Sequence, residues 1–218
     1  MEERFGAMRQ SIVDGAAEQA TSLAKEAVAK GMDPLDAINL GFVPGMNYVG
    51  EQFAARQMFL PDLVMAGEAM KAAVAVLEPE MQKRGVHREM LGTVVLGTVQ
   101  GDIHEIGKTL VGILLTASGF EVHDLGVNVS ADLFAQKARE VNADIVGVSA
   151  LLTTTMVKQR GVVEAIQARG LRPRVKVIVG GAPASRKWAD EIGADGYGQD
   201  AVAAVALAKS LVSKVPVG

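Results

Sequence analysis

The spacing of apolar residues changes partway along the chain. Up to residue 82 it is helical. In "AAEQATSLAKEAVAKG" the residues Ala20, Leu23, Ala24, Ala27 and Val28 fall at i, i+3 and i+4, and Gly31 follows as a C-cap. Asp33 then offers an N-cap and Pro34 a first helical residue for a second pattern, which Pro44 is expected to kink or split. Pro61 opens a third, "PDLVMAGEAMKAAVAVLEPEMQKR". No stretch of residues 1–82 alternates as a strand does, so about four helices joined by short loops predict a small bundle.

From residue 91 short runs rich in Val and Ile take over. Strands are expected at 92–99, 121–126, 143–150 and 175–181, with a short fifth one before Asp200. Helical patterns lie between them, and "DAVAAVALAKSLVSK" closes the chain. Such alternation means βαβ units, right-handed crossovers and a parallel sheet. The polar stretch around 83–90 reads as a linker. The expected organisation is therefore a helical domain at 1–82, a linker at 83–90 and an α/β domain at 91–218.

Composition narrows the function. The chain has 218 residues, is 49% hydrophobic and carries a net charge of −3, which provides no basic field for nucleic acid. Cysteine is absent, so disulfides, thiolate metal sites and a Cys nucleophile are excluded. The N-terminus lacks the apolar core of a signal peptide and no run is long enough to span a bilayer, so a cytoplasmic protein is expected.

Three unusual loops fall where the strands end at their carboxyl sides: "QGDIHEIG", "SALLTTT" and "GGAPAS". Open α/β sheets bind ligands along that edge. The "GKT" at 107–109 imitates a phosphate loop, but five residues separate Gly101 from Gly107 where the motif has four. Counting back correctly puts Asp102 in place of the first glycine, and a carboxylate does not belong among N–H groups that hold phosphate. A metal is the other reading. His104 lies two residues past Asp102, and a metal-bound imidazole commonly donates its second nitrogen to a carboxylate. One histidine is too few for zinc or iron held by protein ligands alone. A metal with a single protein ligand must bring a macrocycle, either haem or a corrin. The same Asp-x-His pair equally fits a capping arrangement at a helix start.

Residues Asp102, His104 and Gly107, then Ser149 and Leu151, then Gly180 and Gly181 resemble the D-x-H-x-x-G, S-x-L and G-G signature of the cobalamin-binding domain shared by methionine synthase, the methylmalonyl-type mutases and corrinoid methyltransferase proteins. The stretch "MNYVGEQFAARQMFLPDLVMAGEAMKAAVAVLEP" resembles the helical cap that precedes that domain in methionine synthase and in free-standing corrinoid proteins. The resemblance implies an N-terminal all-α helical bundle followed by an α/β, flavodoxin-like, doubly wound parallel sheet of five strands.

It also implies the chemistry. Cobalamin would be bound base-off, with His104 as the lower cobalt ligand, and would cycle between a Co(I) corrinoid and methylcobalamin. Asp102 would hydrogen-bond the other imidazole nitrogen, and Thr155, six residues past Ser149, would stand for the serine that completes the relay in methionine synthase. Gly101, Ile103, Glu105 and Gly107 would complete the loop around the ligand. Ser149, Leu151 and Thr153 would line the slot for the displaced nucleotide tail, Gly180 and Gly181 would let that tail come close, and Asp200 is a further contact. Phe53, Leu60 and Leu63 match the apolar residues that shield the upper face, although helical periodicity alone assigns all three to core packing.

No second catalytic constellation is evident. The chain therefore reads as a methyl carrier serving a substrate-specific methyltransferase, an acceptor methyltransferase acting on tetrahydrofolate or a thiol, and a reductive activator. The alternative is a cobalamin-dependent sensor, which would add a DNA-binding module.

Overall fold

The computed structural model describes residues 2–84 and 90–212, which divide into two compact units at residues 89 and 90. The linker expected at 83–90 falls largely outside the described residues.

The first unit is helical. It contains α1 (Glu2–Val13), α2 (Ala17–Ala29), a short α3 (Pro34–Asp36), α4 (Val43–Ala54) and α5 (Leu60–Lys83). The cap signals in the sequence operate locally. The Leu35 N–H donates to the Asp33 side chain at 2.7 Å, with Pro34 starting α3. At the end of α2 the N–H groups of Gly31 and Met32 return to Val28 and Ala27, a Schellman closure with Gly31 at φ 71°. Pro44 does not break the helical path. Residues Ala37–Phe42 instead form a π-helical segment that leads directly into α4, and the Val43 N–H reaches back to the Ile38 carbonyl. Proline has no N–H for the carbonyl four residues earlier, and the widened turn absorbs that mismatch. Ile12, Phe42, Leu63 and Leu77 are among the fully buried residues of this unit.

The second unit alternates strands and helices. Its strands are β1 (Thr93–Thr98), β2 (Glu121–Asp124), β3 (Ile145–Ser149), β4 (Lys176–Gly180) and β5 (Gly196–Gly198). Its helices are α6 (Ile106–Ala117), α7 (Ala131–Glu140), α8 (Thr153–Met156), α9 (Lys158–Ala168), α10 (Arg186–Ile192) and α11 (Ala201–Val212). The sheet is wholly parallel in the order β2-β1-β3-β4-β5, which is the flavodoxin-like order expected. Strands covered on both faces read as unbroken apolar runs. Val95, Val146, Val148, Val177 and Val179 join Phe134, Ala138, Val162 and Ile166 in one buried cluster. Val94, Leu96, Ile145 and Ile178 alternate with them along the strands and are buried as well. Fully burying a side chain of this size contributes about 1.5–3 kcal/mol, and that drives the layering.

The register positions the functional edge. Thr98 pairs with Ser149, Ser149 with Gly180, and Gly180 with Gly198. The central strands therefore end level, and the loops that follow them emerge side by side. The chain order reverses between β1 and β3, the crevice where open sheets of this kind bind ligands.

Candidate functional site at the carboxyl edge of the sheet

The turn after β1 carries the most polar chemistry. Asp102 is 1% exposed, and its two oxygens are heavily used. Oδ1 accepts the His104 N–H at 3.1 Å and lies 2.7 Å from His104 Nδ1. Oδ2 accepts the Leu151 N–H at 2.8 Å and the Thr155 hydroxyl at 2.6 Å. Burial by itself would raise the Asp102 pKa. The hydrogen bonds from the Thr155 hydroxyl, the Leu151 N–H and His104 outweigh it and hold the carboxyl well below the usual carboxylate range. The buried carboxylate is thus ionised and joins the loops after β1 and β3.

With Nδ1 taken by the carboxylate, Nε2 is the His104 nitrogen available to a metal, on a side chain 46% exposed. The capping alternative is met in part by the same geometry, since Asp102 also accepts the His104 backbone N–H. Glu105 occupies the N-cap position of α6, without a side-chain cap bond. The apparent phosphate loop is disposed of by Lys108, which is buried and ion-paired with Asp124 at the end of β2.

The remaining expected residues sort by place. Gly101 has φ 85°, and Gly107 lies in the first turn of α6 with nothing within 4 Å of where a Cβ would stand. Ile103 is 74% exposed and Leu151 42% exposed, large apolar side chains left bare beside the imidazole loop. Ser149 ends β3, and Thr153, exposed, opens α8. Gly180 ends β4. Gly181 follows at φ 113°, where a Cβ would stand 1.8 Å from the Ala150 carbonyl oxygen. The protein's own backbone therefore requires a glycine at 181, whatever lies outside it. Asp200 accepts the Ala203 N–H at 2.8 Å and so caps α11. Phe53 and Leu60 belong to the helical unit, half-buried near the end of α4 and 37% exposed at the start of α5. Leu63 is fully buried and is a packing residue.

Sequence reasoning missed three side chains that hold this edge. Thr98 is fully buried and donates to the His104 carbonyl, Asn128 accepts the Gly101 N–H, and the fully buried Gln159 donates to the carbonyls of Val148 and Gly180 while accepting from the Trp188 indole. Asn128 and Gln159 act across many residues of sequence, and Thr98, six residues before its acceptor, carries no spacing signal of its own.

The donor set tests which group could be held here. Among the described residues there is no cluster of three or more His, Cys, Asp or Glu able to hold a metal ion. A single imidazole backed by a buried carboxylate, beside the exposed apolar side chains of Ile103 and Leu151, fits a metal that arrives within a broad macrocycle. Comparisons with known proteins agree. Residues 92–206 match the B12 binding domain model, and residues 5–78 match a second model described as a B12 binding domain. Trimethylamine corrinoid protein 2 of Methanosarcina acetivorans is 47% identical over 211 residues, covering 97% of each chain. A cobalamin-binding protein from Desulfitobacterium hafniense superposes with a TM-score of 0.77 at 34% identity, covering 95% of this chain and 98% of that one. A chain of the methanol:cobalamin methyltransferase complex from Methanosarcina barkeri gives a TM-score of 0.87 at 26% identity, covering 98% of this chain and 81% of that one. In both its helical and its α/β unit, then, this chain belongs to the family of B12-binding corrinoid proteins.

Proposed function

We propose that this chain is a methyl carrier that holds cobalamin base-off, with His104 Nε2 as the lower ligand of cobalt. The observation that carries this is the hydrogen-bonded chain from the Thr155 hydroxyl through Asp102 to His104 Nδ1, which leaves Nε2 as the free donor on a half-exposed ring. A bound corrin supplies a cobalt centre that takes up and gives up a methyl group. The chain's own residues set the strength of the lower ligand. The Asp102 carboxylate fixes the tautomer and orientation of His104, and Thr155 keeps that carboxylate in place. A ligand whose strength depends on a hydrogen-bonded carboxylate couples ligation to the proton on that network.

Ile103, Leu151, Ser149, Thr153, Gly180 and Gly181 are assigned to the corrin and its displaced tail, with Gly101, Glu105 and Gly107 shaping the loop and Asp200 at the rim. Phe53 and Leu60 are assigned to shielding the upper face. Methyltransferase partners complete the reaction: one that loads the methyl group, one that removes it, and a reductive activator. One relative is named for trimethylamine and one structural neighbour is a methanol:cobalamin methyltransferase complex, which supports a carrier whose methyl donor is selected by the loading enzyme.

The test is a visible spectrum of the protein reconstituted with hydroxocobalamin, beside His104→Ala. Wild type should retain corrinoid with a spectrum that His104→Ala does not reproduce. Failure of wild type to retain corrinoid, or identical spectra from the two proteins, would refute the reading.

A further inference from the structure

The turn that presents His104 is exposed except at Asp102, and it contains a glycine at positive φ. Nothing in its own sequence makes it rigid. Asp102 ties it to the β3 side through Leu151 and Thr155. The opposite side is held by two residues outside the motif. Thr98, fully buried at the end of β1, donates its hydroxyl to the His104 carbonyl at 3.0 Å. Asn128, in the loop between β2 and α7, accepts the Gly101 N–H on Oδ1 at 2.8 Å and donates its own N–H to the Asp102 carbonyl at 2.9 Å. Asn128 stands at φ 56°, a left-handed conformation that asparagine tolerates better than most residues.

The two grips are connected. The Thr98 backbone bonds Gly126 and Val129, which flank Asn128, so β1 and the β2–α7 loop form one frame. That frame holds the start of the turn at Gly101 and Asp102 and its end at His104. Metal–ligand bonds tolerate displacements of only about 0.2 Å, and sites whose supporting residues are loose lose function first.

We propose that Thr98 and Asn128 are positioning residues for the axial imidazole. They clamp the backbone of residues 101–104 so that Nε2 stands where cobalt must meet it, without touching the corrinoid themselves. This rests on the assignment of His104 as the lower ligand.

The experiment uses the full chain reconstituted with hydroxocobalamin, with retained corrinoid measured after desalting and the visible spectrum scored between wild type and His104→Ala. Thr98→Val removes the hydroxyl and keeps the volume, and Asn128→Gly removes the acceptor and keeps the permitted φ. Both variants should retain corrinoid while the ratio of imidazole-ligated to unligated protein falls, by roughly two- to ten-fold for one hydrogen bond each. The double variant should fall further than either. Thr98→Ser and Asn128→Asp, which keep the donor and the acceptor, should return the wild-type spectrum. In a His104→Ala background Thr98→Val should change nothing, because the residue acts only through the imidazole.

Unchanged spectra in Thr98→Val, Asn128→Gly and the double variant would overturn the proposal. So would equal losses in Thr98→Ser and Thr98→Val, or a further spectral change in the His104→Ala background. A folded Asn128→Gly that retains no corrinoid would also overturn it, since the residue would then serve binding itself. A wild type indistinguishable from His104→Ala would overturn the ligand assignment and this proposal together, whereas a ligated wild type with unaffected variants overturns this proposal alone.

Discussion

Replacing Thr155 by Val removes one donor from the carboxylate, together with the hydroxyl's alternative 3.0 Å contact with the Leu152 carbonyl. Thr155 is 7% exposed, and Val has nearly its volume, so no cavity opens. The lost bond runs at 2.6 Å from the Thr155 hydroxyl to Asp102 Oδ2, which keeps the Leu151 N–H as its remaining close donor. Hydrogen bonds to a charged group contribute about 1.5–3 kcal/mol, and that is the expected loss at neutral pH. With a urea slope of about 1–3 kcal/mol per molar, the unfolding midpoint should drop by roughly 1 M. Trp188 is the only tryptophan and lies in the α/β unit, so its fluorescence follows the relevant transition. Thr155→Ser keeps the hydroxyl and should stay within about 1 kcal/mol of wild type. The pH dependence has a definite sign. The fold holds the Asp102 carboxyl below its ordinary range, so its contribution is complete above the unfolded-state value, about 3.9, and drains as the pH falls through the folded one. The Thr155→Val penalty should therefore shrink in strong acid. A midpoint equal to wild type at pH 7, or a penalty already lost at the ordinary carboxylate pKa of about 3.9, would refute this account of the relay.

Three other perturbations have clear expectations. Arg56 closes α4 in a Schellman turn at φ 59°, the position that favours glycine, so Arg56→Gly should stabilise the helical unit by about 1 kcal/mol in thermal unfolding followed by circular dichroism. Gly181→Ala would drive a Cβ into the Ala150 carbonyl from a strained φ and should cost more than about 3 kcal/mol, read as loss of cooperative Trp188 unfolding or of corrinoid retention. Gln159→Leu would leave the Val148 carbonyl and the Trp188 indole short of a partner; a loss of about 2–4 kcal/mol and a shifted Trp188 emission are expected, and an unchanged midpoint would count against the buried network.

Much of this protein was legible in local patterns. The period of the apolar residues separated the helical half from the strand–helix half, because a side chain's direction depends on its neighbours three or four positions away in a helix and two away in a strand. Asp33, Pro34 and Gly31 announced their caps for the same reason: each satisfies backbone groups within one turn of itself. Pro44 was flagged as a disturbance, but nothing flagged that a π-helical segment would take it up on a continuous path with Ile38 and Phe42 buried. The three signature segments could be listed from the sequence, together with the roles their resemblance implied.

The tertiary structure decided how those segments meet. Register alone levelled the ends of β1, β3 and β4, and only then could Leu151 and Thr155 reach a carboxylate about fifty residues earlier in the chain. It also showed that the backbone at Ala150 already requires Gly181, that Asp200 caps α11, and that Leu63 is core. Asn128 and Gln159 were invisible beforehand because a hydrogen bond to a distant backbone group leaves no periodicity or spacing in the sequence, and Thr98, six residues before its acceptor, read only as a strand residue. The sequence alone determined which chemistry the chain carries, since residue type and local spacing are properties of the chain itself. The hydrogen bonds from Leu151 and Thr155 that hold the Asp102 carboxylate against His104 came from long-range pairing, which exists only once the sheet has formed.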